Sequence, residues 1–342
     1  IYRAWAAAKA ADGYKRGRES GCMADHIQKE KMTFREIFIS YGAVIALAVL
    51  IVFNGIVTKN FLSLNTLWLV IKQSTPILFM TVGMTFVISS GGIDISTGSM
   101  MAFCGIIVSL GITNGGNFWV WCLIGLAACA AIGVFNGFLI SSVGVQPVIL
   151  TLVMQIVMRG VTVLMAKSSV FVLGAYPEIK TLGIYRFPGR VPIQIVFFIF
   201  IVIVSVFVLR KTLLGKYVEA VGSNPKAARL TGVRTVAVII TVYVISAVLA
   251  GSCGILEMCR NAALDPNELG KLYELDAIAG VAVGGTSMKG GKANIVGSIA
   301  GCLIMVLIGT TVNMNGIPFA TSNIIKAAII IFALAIQRER SV

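Results

Sequence analysis

"SSGGIDISTGSM", residues 89–100, sets a carboxylate, Asp94, among glycines and serines where one apolar run ends and the next begins. In a soluble chain such a stretch is a surface turn, so its meaning depends on the solvent around it. Hydrophobic residues make up 57% of the 342 and charged residues 12%, with a mean hydropathy of +0.92, whereas soluble domains carry roughly 25% charged residues. Most of the chain belongs in lipid. Working outward from 89–100, ten apolar runs are predicted as spans: 37–57, 68–89, 95–112, 118–140, 146–166, 191–209, 235–257, 275–286, 295–312 and 320–336. A helix of about 20 residues crosses the roughly 30 Å of hydrocarbon, and the eighth run is short of that. A helix satisfies its own backbone hydrogen bonds in lipid, and a barrel would show alternating segments of about ten residues. The expected fold is an all-α polytopic membrane bundle of about ten transmembrane helices.

Orientation follows from where the lysines and arginines fall, and not from the net charge of +14, which in a soluble chain would suggest nucleic acid. With the N-terminus inside, 18 of the 28 basic residues fall on the cytoplasmic side, among them Arg210, Lys211, Lys216, Lys226, Arg229 and Arg234 of one loop. Seven fall outside, and Lys72, Arg159 and Lys326 lie within spans. Both termini are expected in the cytoplasm. The polar segment 1–36 precedes the first span, with Met23 or Met32 read as nearer the natural start; the first apolar run is too long for a secretory signal and lacks a small-residue cleavage site.

Several chemistries are excluded by inspection. The nearest approach to a nucleotide-binding loop, "TSMKGGKA" (286–293), has Thr286 for the first glycine and Ala293 for the magnesium-binding hydroxyl. Cys104, Cys122, Cys129, Cys253 and Cys302 lie in apolar runs without metal-type spacing and read as small packing residues, and the single histidine, His26, has no ligand cluster near it. No catalytic residue and no metal site is expected. Small residues four apart, Gly133/Gly137, Gly280/Gly284 and Gly297/Gly301, mark close helix contacts.

Asp94 is expected at the cytoplasmic boundary, where Gly91 and Gly92 break the helix. One reading makes it a cap whose carboxylate accepts backbone N–H groups near Thr97; another makes Gly91, Gly92 and Asp94 a bend beside the permeation path. "GGIDISTGS" (91–99) is echoed by "GGKANIVGS" (290–298), each opening a new span. Arg159 and Lys326, costly in lipid, either snorkel or pair, or else line the path. Trp119 and Trp121 read as an interfacial belt ahead of a sugar-stacking platform. The loop 210–234 holds six basic residues and the single acid Glu219; within it Asn224 as N-cap, Pro225 behind it and Gly232 as a stop describe one short helix lying along the membrane surface.

At this loop the sequence resembles the permease subunits of bacterial ATP-binding-cassette importers for monosaccharides. The resemblance is carried by "VGMTFVISSGGIDISTGS" (82–99), "VGVQPVILTL" (143–152), "LLGKYVEAVGSNPKAARLTGV" (213–233) and "YELDAIAGVAVGGTSMKGGKANIVGS" (273–298), which follow in the family's order over most of 37–336. It implies a permease domain over 37–336 and a short cytoplasmic tail over 337–342. It also implies a second permease subunit (a second copy or a related paralogue), a cytosolic ATPase that uses ATP and magnesium, and an extracytoplasmic sugar-binding protein; this chain would bind no cofactor and no nucleic acid. The loop becomes the ATPase-coupling element, carried over onto Glu219, Gly222, Asn224, Ala227, Ala228 and Gly232, with Arg229 on its rim. Lys226, Lys289 and Lys292 are more basic than the family pattern.

The function so implied is inward movement of a monosaccharide by alternating access, without covalent chemistry, so the chain is not an enzyme. A neutral hydroxylated solute needs polar, mostly uncharged groups along its path, and Thr85, Asn136, Gln155 and Asn313 are candidates of that kind. A nucleoside or another small polar solute is the alternative cargo. An ion-coupled carrier would need carboxylates at mid-membrane, of which the spans offer almost none, with Glu257 and Asp276 placed near span ends. A membrane scaffold would leave the 210–234 loop without a purpose.

Overall fold

The computed structural model describes residues 34–188 and 191–338. Of the two units into which the chain divides, the described residues of Ile1–Ile39 form the opening of the first helix, and Ser40–Val342 carries the other described elements. The segment expected over 1–36, except for its last three residues, lies outside the described residues, as do His26 and the tail beyond Arg338.

Each of the ten expected runs falls on a helix. These are α1 (Phe34–Val57), α2 (Leu64–Ser89), α3 (Thr97–Thr113), α4 (Phe118–Phe138, prolonged by a π-helical turn Leu139–Val143), α5 (Pro147–Met165), α7 (Gln194–Lys211), α10 (Thr235–Asn261), α11 (Tyr273–Val283), α12 (Ile295–Met314) and α13 (Phe319–Arg338). Among the described residues three shorter helices complete the set: α6 (Pro177–Ile184), α8 (Leu213–Ser223) and α9 (Pro225–Leu230). Four two-residue strands form two antiparallel ties, β1 (Phe171–Val172) with β4 (Ala263–Leu264) and β2 (Arg186–Phe187) with β3 (Val191–Pro192). Among the described residues six helices, α2, α4 with its π turn, α5, α7, α10 and α12, are long and apolar enough to cross a membrane by length and composition. The eighth expected span is α11, whose 11 residues rise about 16 Å, roughly half the hydrocarbon thickness.

Apolarity on every side lets a helix be buried on every side, and α2 is buried continuously from Ser74 to Ser89. The long α10 packs along α4, α2 and α3, while α11 lies on α12 and α2. The predicted glycine pairs sit at these crossings. A Cβ on Gly133 would lie 2.8 Å from the Tyr243 carbonyl oxygen, and one on Gly137 2.6 Å from the Ile240 Cα, both on α10. Gly280 and Gly284 lie directly on Gly301 and Gly297, where a Cβ would meet opposing backbone at 3.0 Å or less. Without side chains between them, the backbones approach until dispersion contact is continuous. Around this core, α4, α5 and α7 present Leu123, Phe135, Ile156 and Phe200 outward, the surface expected of helices facing hydrocarbon. The cysteines expected to fill space, Cys104, Cys122, Cys129, Cys253 and Cys302, are all buried, and Cys259 joins them.

Polar side chains bridge helices where lipid offers no competing water. Thr311 Oγ1 donates to Asn54 Oδ1 at 2.7 Å, Asn315 Nδ2 to Thr58 Oγ1 at 3.1 Å and Thr310 Oγ1 to Gln73 Oε1 at 2.8 Å, tying α12 to α1 and α2.

Candidate functional site

The basic loop 210–234 folds as two helices where one was expected. Val218 and Val221, with the half-buried Leu214, give residues 213–223 an apolar stripe at helical spacing, and this amphipathic α8 was hidden in the sequence by Gly215 and Gly222. Asn224 ends α8 and caps α9 as expected: its Oδ1 accepts from the N–H groups of Lys226 at 3.1 Å and Ala227 at 3.0 Å, with Pro225 behind it at the first helical position. Gly232, at φ +87°, stops α9: its N–H reaches the Arg229 carbonyl and that of Val233 reaches the Ala228 carbonyl, each at 3.1 Å. Ala227 is exposed, and Leu230 is 90% exposed. Ala228, expected with Ala227 among the ATPase-coupling residues, packs inward at 5% exposure. Six residues are too few for a sequence to reveal which side of a helix faces in. Arg229 Nη2 donates to Thr235 Oγ1 at 3.1 Å.

Gly222 also faces inward, onto the bundle. A Cβ there would lie 1.8 Å from the Ser89 carbonyl oxygen and 2.6 Å from the Gly291 nitrogen, so only glycine fits. The Gly291 N–H in turn donates to the Ser89 carbonyl at 2.9 Å. The two echoed stretches thus come together under α8, with a Cβ on Gly290 only 3.0 Å from the Gly91 Cα. Glu219, one turn earlier, accepts the N–H of Ala293 on Oε1 at 2.9 Å.

Beyond Gly91 the chain runs inward. Gly92 lies against Tyr243, whose hydroxyl would be 2.6 Å from a Cβ at that position. Asp94 is 1% exposed; its Oδ1 accepts from Ser96 N at 3.1 Å and Ser96 Oγ at 2.6 Å, and its Oδ2 from Ser246 Oγ at 3.1 Å. The cap position of α3 is Ser96, without a side-chain cap bond, so Asp94 does not cap the helix as expected but accepts the Ser96 N–H just ahead of it. Ser246 stands eleven residues into α10, about 16 Å along it, which puts the carboxylate deep between helices and not at a bundle edge.

A second polar cluster joins α5, α3 and α11. Gln155 Nε2 donates to Glu274 Oε1 at 3.0 Å, and Arg159 Nη1 donates to the carbonyls of Leu269 at 2.8 Å and Pro266 at 3.0 Å. The start of α3 is held against it: a Cβ on Gly98 would lie 2.2 Å from Glu274 Oε2, an oxygen with no hydrogen-bond partner. Arg159 therefore does not snorkel. Lys326 pairs with Asp276 at 2.7 Å, so that carboxylate, near the start of α11 as expected, is also a helix contact. The other path candidates diverge. Thr85 is buried and bonds back to the Thr81 carbonyl at 2.8 Å, Asn136 is buried with both side-chain polar atoms unpartnered, and Asn313 is exposed near the end of α12. Glu274, Tyr243 and Ser246 were not singled out from the sequence; the partners of Glu274 and Ser246 and the glycine that Tyr243 packs on lie in distant segments, and only the rarity of a carboxylate in an apolar run pointed to Glu274.

The family described as "branched-chain amino acid transport system / permease component" matches residues 66–334. The ribose import permease protein RbsC of Escherichia coli K12 is 34% identical over 300 residues, covering 87% of this chain and 93% of that protein. The fructose import permease protein FruF of Bifidobacterium longum is 32% identical, covering 93% and 94%. The galactofuranose transporter permease protein YtfT of Escherichia coli K12 is 30% identical, covering 79% of each. No solved structure matches. With the match running from α2 to α13 through both polar clusters and the 213–233 loop, the chain belongs to the family of membrane permease components of transport systems.

Proposed function

We propose that this chain is the membrane-spanning subunit of a monosaccharide importer driven by a separate ATPase, moving its cargo inward by alternating access. The carrying observation is the seat of α8 and α9: a basic loop that presents Leu230 outward while its inner face rests on the starts of two helix-connecting turns, at Ser89 and Gly291. An apolar side chain standing in water on a rim of charge suits an anchor for a groove on a partner. The sugar-carrying names of the relatives, matched over nearly their whole length, support the cargo class.

In this reading the nine long helices and α11 with them lie in the inner membrane, both termini and the 210–234 loop face the cytosol, and a second permease subunit completes the path. Gln155 and Arg159, half-buried beside Glu274, offer donors and an acceptor to sugar hydroxyls midway. A cleft of about 210 Å³ lined by Glu257, Asn261, Asp265, Glu268 and Tyr273 opens at the opposite end of α10 from the loop and suits the side that receives the extracytoplasmic binding protein.

Reconstitution with the cognate ATPase and binding protein tests this with labelled D-ribose, D-fructose and galactofuranose against a nucleoside. ATP-dependent uptake of at least one sugar is expected. Uptake of the nucleoside alone would replace the cargo, and uptake driven by an ion gradient without ATP would overturn the ATPase.

A further inference from the structure

We infer that Glu219 is a positioning residue that fastens the α8–α9 loop to the turn ahead of α12, so that one displacement of the loop moves the starts of both α3 and α12. The inference rests on the reading of 210–234 as the loop that receives the ATPase.

The contacts beneath the loop differ in kind. At Gly222 the loop touches Ser89 and Gly291 by packing alone. Packed atoms transmit a push, because repulsion rises steeply, but they part under a pull. Alternating access moves the loop in both directions, so the return stroke needs a tensile link. Glu219 supplies it. Among the described residues Glu219, the only acid in a loop with six basic residues, makes no ion pair; its Oε1 instead takes the Ala293 N–H at 2.9 Å. A carboxylate accepting an amide forms a charge-assisted bond, about twice as strong as a neutral one.

Beyond Ala293 the link continues into the helices. Asn294 Oδ1 accepts the Gly297 N–H at 3.1 Å and so caps α12, while its Nδ2 donates to the Gly284 carbonyl at 2.9 Å at the end of α11. A pull on Ala293 therefore reaches the end of α11 and the start of α12 together. The Gly291 N–H on the Ser89 carbonyl, at 2.9 Å, adds the end of α2 and with it the run into α3.

Paired nitroxide labels in place of Lys216 and Lys292, both exposed, report across this link in the chain purified alone and in its complex with the ATPase, with and without ATP. One narrow distance distribution is expected in every state. Glu219→Leu should shift the balance toward separated loops about tenfold, the weight of one hydrogen bond to a charged group, and Glu219→Gln, which keeps an acceptor oxygen, should restore it. Ala293→Pro removes the donor from the other side and should reproduce the Leu result if Glu219→Leu folds poorly. A wild-type distance that changes with nucleotide, or a Glu219→Leu distribution like wild type, overturns the link. Failure of the underlying reading appears elsewhere: Leu230→Asp would still capture the ATPase, whatever the labels report in the chain alone.

Discussion

Lys326 Nζ lies 2.7 Å from Asp276 Oδ2, joining α13 to α11 with both side chains largely buried. Neither charge has another described partner of opposite sign, so removing one strands the other in a medium that solvates it poorly. Lys326→Ala should lower stability by about 3 kcal/mol, and the Lys326→Ala, Asp276→Ala double variant should recover most of that loss. Thermal unfolding in detergent measures both. Equal losses in single and double variants would show that the pair does not act as a unit.

Asp94 accepts three hydrogen bonds with its two oxygens. Asp94→Asn keeps Oδ1 for Ser96 and turns an amide toward the Ser246 hydroxyl, which can accept, so folded yield should stay near wild type. Asp94→Leu leaves Ser96 and Ser246 without their acceptor and should cost about 2 kcal/mol, read as lost monodisperse protein on size-exclusion. If Asp94→Asn folds normally but transport stops, the negative charge has a role at the path.

The Tyr243 hydroxyl is buried without a hydrogen-bond partner among the described residues. An unsatisfied buried polar group costs about 1 kcal/mol or more, so Tyr243→Phe should raise the unfolding temperature or leave it unchanged. A clear fall would reveal a partner that the hydroxyl finds in another conformation.

Cysteine substituted for the exposed Lys226, in a background without the native cysteines, should react with an impermeant maleimide only after cells are opened. Labelling from outside intact cells would invert the proposed topology.

What could be read from the sequence was local. Asn224 with Pro225 announces a cap because the bonds that define it span two or three residues, and glycines four apart announce a crossing because helical periodicity alone places them on one face. Contacts between distant segments carry no such signature. Asp94 and Ser246 are 152 residues apart, and Glu219 and Ala293 are 74. The sequence showed that a carboxylate among glycines needs donors and left open which helix provides them. The inward turn of Ala228 and Gly222 was hidden for a different reason: on a short helix at a surface, small residues suit a partner's groove and the protein's own core equally well.

The Lys326–Asp276 pair also bears on how the chain is made. Asp276 sits on a helix of 11 residues, and its counter-charge is 50 residues further along, in the last helix. In the proposed topology, with α11 in the membrane, it leaves the translocon without that partner, too short to cross alone and carrying Glu274 as well. It can enter lipid only as one arm of a hairpin with α12, the helix it touches backbone to backbone. The carboxylate then stays uncompensated until α13 arrives, and completion of the final helix supplies its counter-charge.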